Sequence, residues 1–244
     1  LTGVGFETVE EADGSLPLLA PMSIIAGKIA TQVGTSTLHH PMGGKGLLLG
    51  GLPSTERGKV VVLGGGAAGG NAAALAAAGG ANVVVFDKRQ DRLAQMMAMG
   101  SNVTTLYPYQ ELVAAEISNA DLVIGAVLVT GAKAPHVITE DMVKGMEPGS
   151  VIADISVDQG GCVATTRPTT WAEPTFVEHG VVHFSVTNMP GAVPRTSTHA
   201  ISAAILPYVQ RLTHVDWPSV PSLQKGINVQ GGQIVHPALM DLLD

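Results

Sequence analysis

The sequence is short of the residues that build covalent cross-links, metal cages and basic surfaces. It holds one cysteine, Cys162, in 244 residues, so no internal disulfide can form. A reducing compartment is compatible with that, and the expected location is cytoplasmic. There is no C-x-x-C pair. The one H-x-x-x-H spacing, His179 and His183, contains Gly180 and runs into Val181–Val186, which reads as a strand. On a strand those two rings would stand roughly 13 Å apart, so no metal site is expected. Lys plus Arg number 13 against 20 Asp plus Glu, a formal net charge of −7. That lacks the electrostatic footprint of a nucleic-acid binder. Residues 1–21 carry no basic segment ahead of an apolar run, so no signal peptide is expected. One uncharged run, residues 60–86, exceeds the ~20 residues that span a bilayer. Seven glycines with Asn71 and Asn82 divide it into strand, turn, helix, turn and strand, and no membrane span is expected.

What the chain does have is apolar content, 45% of residues against 14% charged. That excludes a disordered chain. The 30 glycines follow no Gly-X-Y period, which excludes collagen. Short runs rich in Val and Ile recur at Lys59–Leu63, Asn82–Phe86, Asn102–Leu106, Leu122–Gly125, Ser150–Asp154 and Val181–Val186. They are continuously apolar rather than alternating, the signature of parallel strands covered on both faces. Helical patterns separate most of them, at Ala67–Ala78, Gln90–Met99, Glu111–Ser118 and Thr139–Gly145. Alternating strand and helix predicts an α/β fold with a doubly wound parallel sheet. Three stretches differ in texture. Residues 1–37 end in a helix with Ser23 near its N-cap and Ile25, Ile29 and Val33 on one stripe. Residues 38–187 hold the alternating strands and helices and are expected to form one domain. Residues 188–244 open with a Pro-rich turn, continue as a helix over about Thr196–Leu212 with a kink expected at Pro207, and end in a short tail.

Chemistry concentrates first at Val60-Val61-Val62-Leu63-Gly64-Gly65-Gly66-Ala67-Ala68-Gly69, a strand running into G-x-G-x-x-G. Gly64 permits the tight turn, Gly66 lets the backbone approach a pyrophosphate, and Gly69 lets the helix pack on the sheet. The helix start at Ala67 and Ala68 offers free N–H groups to the phosphates. The next strand ends at Asp87, 18 residues after Gly69, close to the spacing of a ribose-binding carboxylate. A carboxylate there favours NAD, whereas the adjacent Lys88 and Arg89 are compatible with a 2′-phosphate.

Ligands of open parallel sheets sit outside the carboxyl ends of the strands. The segments there are Ala126–Pro135, with Val127 and Leu128; Ile155–Cys162, with Asp158; and Thr187–Pro190, with Asn188 and Met189. Asp158 is placed either to face a nicotinamide or to serve as a solvated loop acid. Asn188 fits either a ligand contact or a turn. Asp154 reads as a structural acid ending its strand, and Cys162 as a small packed residue with no base at motif spacing.

Leu16–Ser23, Gly64–Gly69, Ala120–Pro135, Asp154–Cys162, Arg167-Pro168-Thr169-Thr170, and Asn188-Met189-Pro190 through Thr196-Ser197-Thr198 together resemble the alanine dehydrogenase family, which also contains the NAD(H)-binding subunit of proton-translocating transhydrogenase. The resemblance implies NAD as cofactor and reversible oxidative deamination of L-alanine to pyruvate and ammonia. It implies cofactor contacts at Met22 and Ser23 near the nicotinamide, at Gly64, Gly66, Ala67, Ala68 and Gly69 for the pyrophosphate, and at Asp87 and Arg92 for the adenosine ribose. Val127, Leu128, Ile155, Asn188 and Met189 complete that set. Asp158 would be the active-site acid, with Asn188 beside the substrate. A homo-oligomer, a hexamer in the family, is also implied. In the family an N-terminal lobe supplies a substrate-binding arginine, a lysine and a catalytic histidine. Lys28, Lys45, His39 and His40 do not match those motifs, so this chain is expected to carry the cofactor-binding part. A dinucleotide-binding module without turnover is the alternative.

Overall fold

The computed structural model describes residues 1–127 and 136–240. In chain order the strands are β1 (Thr2–Val4), β2 (Lys59–Leu63), β3 (Asn82–Phe86), β4 (Val103–Leu106), β5 (Leu122–Gly125), β6 (Val151–Asp154), β7 (Thr175–Glu178), β8 (Val181–Phe184), β9 (Ile227–Gln230) and β10 (Gln233–Ile234). The helices are α1 (Ala20–Thr37), α2 (Ala67–Ala78), α3 (Gln90–Met97), α4 (Gln110–Ser118), α5 (Glu140–Lys144), α6 (Pro194–Leu212), α7 (Pro221–Lys225) and α8 (Pro237–Met240). The described residues form two compact units, one of residues 1–23 with 190–240 and one of residues 24–127 with 136–189.

The larger unit is a seven-stranded sheet in the order β4-β3-β2-β5-β6-β8-β7. All neighbours are parallel except the β7–β8 pair. The order reverses at β2, which pairs with β3 on one side and β5 on the other, so the crevice of a doubly wound sheet lies at the carboxyl end of β2. Val60–Val62 of β2 and Leu122–Ile124 of β5 have no exposed surface, which explains their unbroken apolar runs. The core cluster on one face joins Val61, Leu63, Val84 and Phe86 of the sheet to Val113 and Ile117 of α4 and Val143 of α5. On α1, the Thr31 hydroxyl donates to the Gly27 and Ala72 carbonyls at 3.1 and 3.2 Å, which ties α1 to α2.

Two expectations change. Helix α1 begins at Ala20, so Ser23 is not its N-cap: the Ser23 N–H already donates to the Leu19 carbonyl at 3.1 Å. Pro21 explains the earlier start, because a proline in the first turn forfeits only an N–H that has no helical partner. The sheet also gains β7, which the apolar pattern does not reveal. Its residues are mostly exposed, and it is held by a two-residue hairpin in which His179 (φ 51°) and Gly180 (φ 80°) are both left-handed, the primed-turn geometry that matches strand twist. His183 on β8 is fully buried, stacked on Phe176 of β7 with ring centroids 4.8 Å apart.

Lys45, outside any expected site, bridges Asp121 and Glu147 at 2.8 Å each. Burial alone would lower its pKa, but the two hydrogen bonds outweigh that and hold it above its ordinary value. In the smaller unit β1-β9-β10 form an antiparallel sheet. There Val9, Leu18 and Leu223 are the buried centre against Ile205 and Tyr208 of α6, and the Tyr208 hydroxyl donates to Glu11 at 2.6 Å. Helix α6 runs without interruption through Pro207. No helix among the described residues is long and apolar enough to cross a membrane.

Candidate functional site

The site is built from the glycine loop upward. After Leu63 the chain turns at Gly64, whose φ of 96° is left-handed. A Cβ there would stand 2.5 Å from the Ala126 carbonyl oxygen. One turn on, a Cβ at Gly69 would stand 1.8 Å from the Gly64 oxygen. The loop and α2 are therefore too close for any larger residue at either end. Gly66 differs: a Cβ there would meet only the Arg92 guanidinium, at 3.7 Å. Its missing side chain leaves a concavity rather than a packing contact. Gly66 is the N-cap of α2 and no side chain caps that helix. The first-turn N–H groups, on exposed Ala67 and half-buried Ala68, are left for an anion.

Asp87 closes the same concavity. It is buried, and Oδ2 accepts the Gly65 N–H at 2.7 Å while Oδ1 accepts the Arg89 N–H at 2.8 Å. Arg92 Nη1 lies 3.5 Å from Oδ2. An ionised carboxylate has about four acceptor positions, so capacity remains for the two hydroxyls of a ribose. An open phosphate cradle beside a carboxylate with spare acceptors fits the adenosine diphosphate half of a dinucleotide.

The second cluster lies at the ends of β5, β6 and β8. Asp154 ends β6 fully buried. It accepts from the Ser156 and Cys162 amides at 3.0 Å each and from the Thr166 hydroxyl at 2.7 Å. Burial raises its pKa against the pull of those donors. Burial, then the neighbouring Asp154, pushes the Cys162 thiol up as well, so this cysteine stays a packed thiol rather than a thiolate. Asp154 caps the 3-10 turn Ile155–Gln159 and so fixes the segment carrying Asp158. The Ser156 hydroxyl ties the same turn to the Val127 carbonyl at 2.8 Å. Asp158 projects exposed from this turn, and both its oxygens accept the Asn188 N–H at 3.3 Å. Asn188 has a left-handed φ of 52°, a conformation asparagine tolerates better than most residues.

Gly64, Gly66, Ala67, Ala68, Gly69, Asp87 and Arg92 thus form one cluster. Asp158, Asn188, Ile155 and Val127 lie at neighbouring strand ends. Met189 follows Asn188 but is almost entirely buried. Met22 and Ser23 stand in the first turn of α1, within the smaller unit. Leu128 lies outside the described residues. Sequence reasoning missed Thr166 as an Asp154 partner and the Gly65 amide as an Asp87 partner. Only the Asp154-x-Ser156 spacing carried a local capping signal.

The chain matches the family described as Alanine dehydrogenase/PNT, C-terminal domain, over residues 30–237. It belongs to that family. It is 47% identical to an alanine dehydrogenase of Lysinibacillus sphaericus over 99% of this chain and 66% of the relative. It is 48% identical to that of Geobacillus stearothermophilus over 98% of this chain and 66% of the relative. Among solved structures, an L-alanine dehydrogenase superposes with a TM-score of 0.92 at 46% identity, covering 100% of this chain and 68% of that one. A transhydrogenase from Sinorhizobium meliloti shares the fold, with a TM-score of 0.79 at 23% identity over 98% of this chain. The chain spans about two thirds of the length of the curated relatives it matches. These likenesses agree with the α/β reading and with the family named from the sequence motifs.

Proposed function

We propose that this chain is the NAD-holding part of an alanine dehydrogenase. The reaction is the reversible oxidation of L-alanine with NAD+ and water to pyruvate, ammonium, NADH and a proton. The observation that carries this reading is the open cradle at Gly66 beside Asp87, in a chain of this family. The α2 N-terminus and Gly66 would hold the pyrophosphate, and Asp87 with Arg92 the adenosine ribose, NAD being favoured over NADP by that carboxylate. Met22, Ser23, Val127, Leu128, Ile155 and Met189 would complete the cofactor contacts. The bound nicotinamide supplies the hydride acceptor.

The chain's own groups have the following tasks. Asp158, an exposed acceptor on both oxygens, would orient and take up a proton at the reacting nitrogen or oxygen. Asn188, held by Asp158 through its backbone, would direct its amide toward the substrate. Asp154 would keep the turn carrying Asp158 in place. L-alanine and pyruvate are the proposed small-molecule partners, and a homo-oligomer of the kind the family implies is the proposed assembly, located in the cytoplasm.

The second reading is a dinucleotide-binding module without turnover. NADH formation at saturating L-alanine and NAD+, with D-alanine as control, separates the two. Alanine-dependent NADH formation supports the dehydrogenase. NADH binding by folded chain without any turnover supports the module.

A further inference from the structure

Residues 165–169 touch both halves of the cluster at the ends of β6 and β8, and three threonines carry the contacts. The Thr166 hydroxyl donates to Asp154 Oδ2 at 2.7 Å. Its neighbour Thr165 reaches the next strand, β8, where its hydroxyl lies 2.8 Å from His183 Nε2. His183 Nδ1 faces the Val181 carbonyl at 3.0 Å. A carbonyl only accepts, so Nδ1 carries the proton and Nε2 accepts from Thr165. Thr169 then runs beside the chain that leaves β8. Its N–H donates to the Ser185 carbonyl at 3.0 Å, and its carbonyl accepts the Thr187 N–H at 3.3 Å. Asn188 is the next residue.

Gly161 makes room for this arrangement. It is left-handed at φ 81°, and a Cβ there would stand 2.8 Å from the Thr166 methyl and 2.9 Å from Asp154 Oδ2. Asp154 and His183 are both fully buried, so both hydroxyls end on groups for which an unmade hydrogen bond costs most. Burial pushes the Asp154 carboxyl up, and Thr166 heads the donors that oppose it.

We propose that Thr166 is a positioning residue of the reaction, and that residues 165–169 brace the turn carrying Asp158 against the strand end carrying Asn188. The inference rests on the dehydrogenase reading above. Asp158 and Asn188 meet through long contacts, 3.3 Å from the Asn188 N–H to each carboxylate oxygen. Hydrogen bonds of that length hold a separation weakly. The brace holds it from behind. One end is bonded to Asp154, which caps the Asp158 turn. The other is bonded to Ser185 and Thr187, just ahead of Asn188. Thr166 acts through Asp154, so its loss displaces Asp158 and leaves every proposed dinucleotide contact in place.

The test is a double-mutant cycle on L-alanine-dependent NADH formation by the whole chain, with an NADH titration and a thermal melt of each protein. The proteins are wild type, Thr166→Val, Thr166→Ser, Asp158→Asn and the Thr166→Val/Asp158→Asn pair. Thr166→Val keeps the shape and removes the donor. It is expected to lower kcat about tenfold or more, the scale of a misplaced reacting group, with NADH affinity within about twofold of wild type. Thr166→Ser keeps the hydroxyl and should hold kcat within about threefold of wild type. In the Asp158→Asn background Thr166→Val should cost less than about twofold, because the acid it positions is gone. A merely structural role would lower kcat by the same factor in both backgrounds. If Thr166→Val does not fold, Thr165→Val cuts the same brace at His183 and is read in the same way. Unchanged kcat in the folded valine variant, or an equal loss in both backgrounds, overturns the positioning role and leaves the dehydrogenase reading standing. Folded wild type that forms no NADH from L-alanine overturns that reading and the positioning role with it.

Discussion

The Gly65 amide donates to the Asp87 carboxylate at 2.7 Å, so the acid at the end of β3 is built into the glycine loop at the end of β2. One hydrogen bond thus joins the acid proposed for the ribose to the loop proposed for the pyrophosphate, between residues 22 positions apart. The shape of the cradle and its proposed specificity are thereby coupled.

The glycines of the loop have different tasks. At Gly69 an added methyl would collide with the Gly64 carbonyl at 1.8 Å, whereas at Gly66 it would meet only Arg92 at 3.7 Å. Gly69→Ala is expected to destabilise the fold by about 2 kcal/mol or more, as overpacking against backbone does. Gly66→Ala should leave the melting temperature within a few degrees of wild type while weakening NADH at least tenfold, because the methyl occupies the phosphate concavity. Thermal melts alongside NADH titration read both. A Gly66→Ala protein that binds NADH normally would show that phosphates do not enter there.

On the proposed reading, Asp87 is expected to govern cofactor choice. Removing its charge by Asp87→Asn leaves the cluster of Lys88, Arg89 and Arg92 without a counter-charge from that position. The ratio of NADPH to NADH affinity should rise by about tenfold or more, since a carboxylate repels a 2′-phosphate and nearby arginines accommodate it. Titration with both reduced cofactors measures this. An unchanged ratio would remove Asp87 from the ribose site.

His183 makes stability fall in mild acid. Burial lowers its pKa below the ordinary 6.5, and its two ring nitrogens are engaged by the Val181 carbonyl at 3.0 Å and the Thr165 hydroxyl at 2.8 Å. The unfolded chain therefore takes up a proton near pH 6.5 that the folded chain refuses. His183's contribution is fully present above pH 6.5, is lost as pH falls below it, and levels off below the folded pKa. The slope reaches at most about 1.4 kcal/mol per pH unit. Denaturant melts from pH 7.5 to 5 should show this slope in wild type and lose it in His183→Gln, whatever the variant's absolute stability.

Asp158 is expected to matter for turnover and not for dinucleotide affinity. It is exposed, and its contacts to the Asn188 amide are long. Asp158→Asn should leave NADH affinity within about twofold and the melting temperature nearly unchanged. In a form of the protein that turns over, kcat should fall at least a hundredfold, the scale of a lost acid–base group. A variant with normal kcat would reduce Asp158 to a loop cap.

Much of the sheet was legible because its strands are buried on both faces. Lys59–Leu63, Asn82–Phe86 and Leu122–Gly125 stand where the Val and Ile runs put them. Edge strand β7 was not legible, since exposed Thr175–Glu178 needs no apolar pattern and its hairpin turn places a histidine at positive φ. The start of α1 was misplaced by three residues because a serine after Pro-Met resembles a cap, although Leu16 and Leu19 carbonyls already continue the helix upstream. At the site, the G-x-G-x-x-G spacing showed the turn and the close packing. It did not show that Gly65 binds Asp87, or that Thr166 reaches back to Asp154. Those are through-space contacts between segments that only the sheet order brings together.

The cleft at Gly66 and Asp87 is proposed to hold a dinucleotide. Direct titration of the folded chain with NADH, followed by calorimetry and by the nicotinamide's own fluorescence, tests it first. Saturable one-to-one binding, weakened at least tenfold by Gly66→Ala at unchanged melting temperature, is the predicted result. No saturable binding in a chain that melts cooperatively would contradict the account.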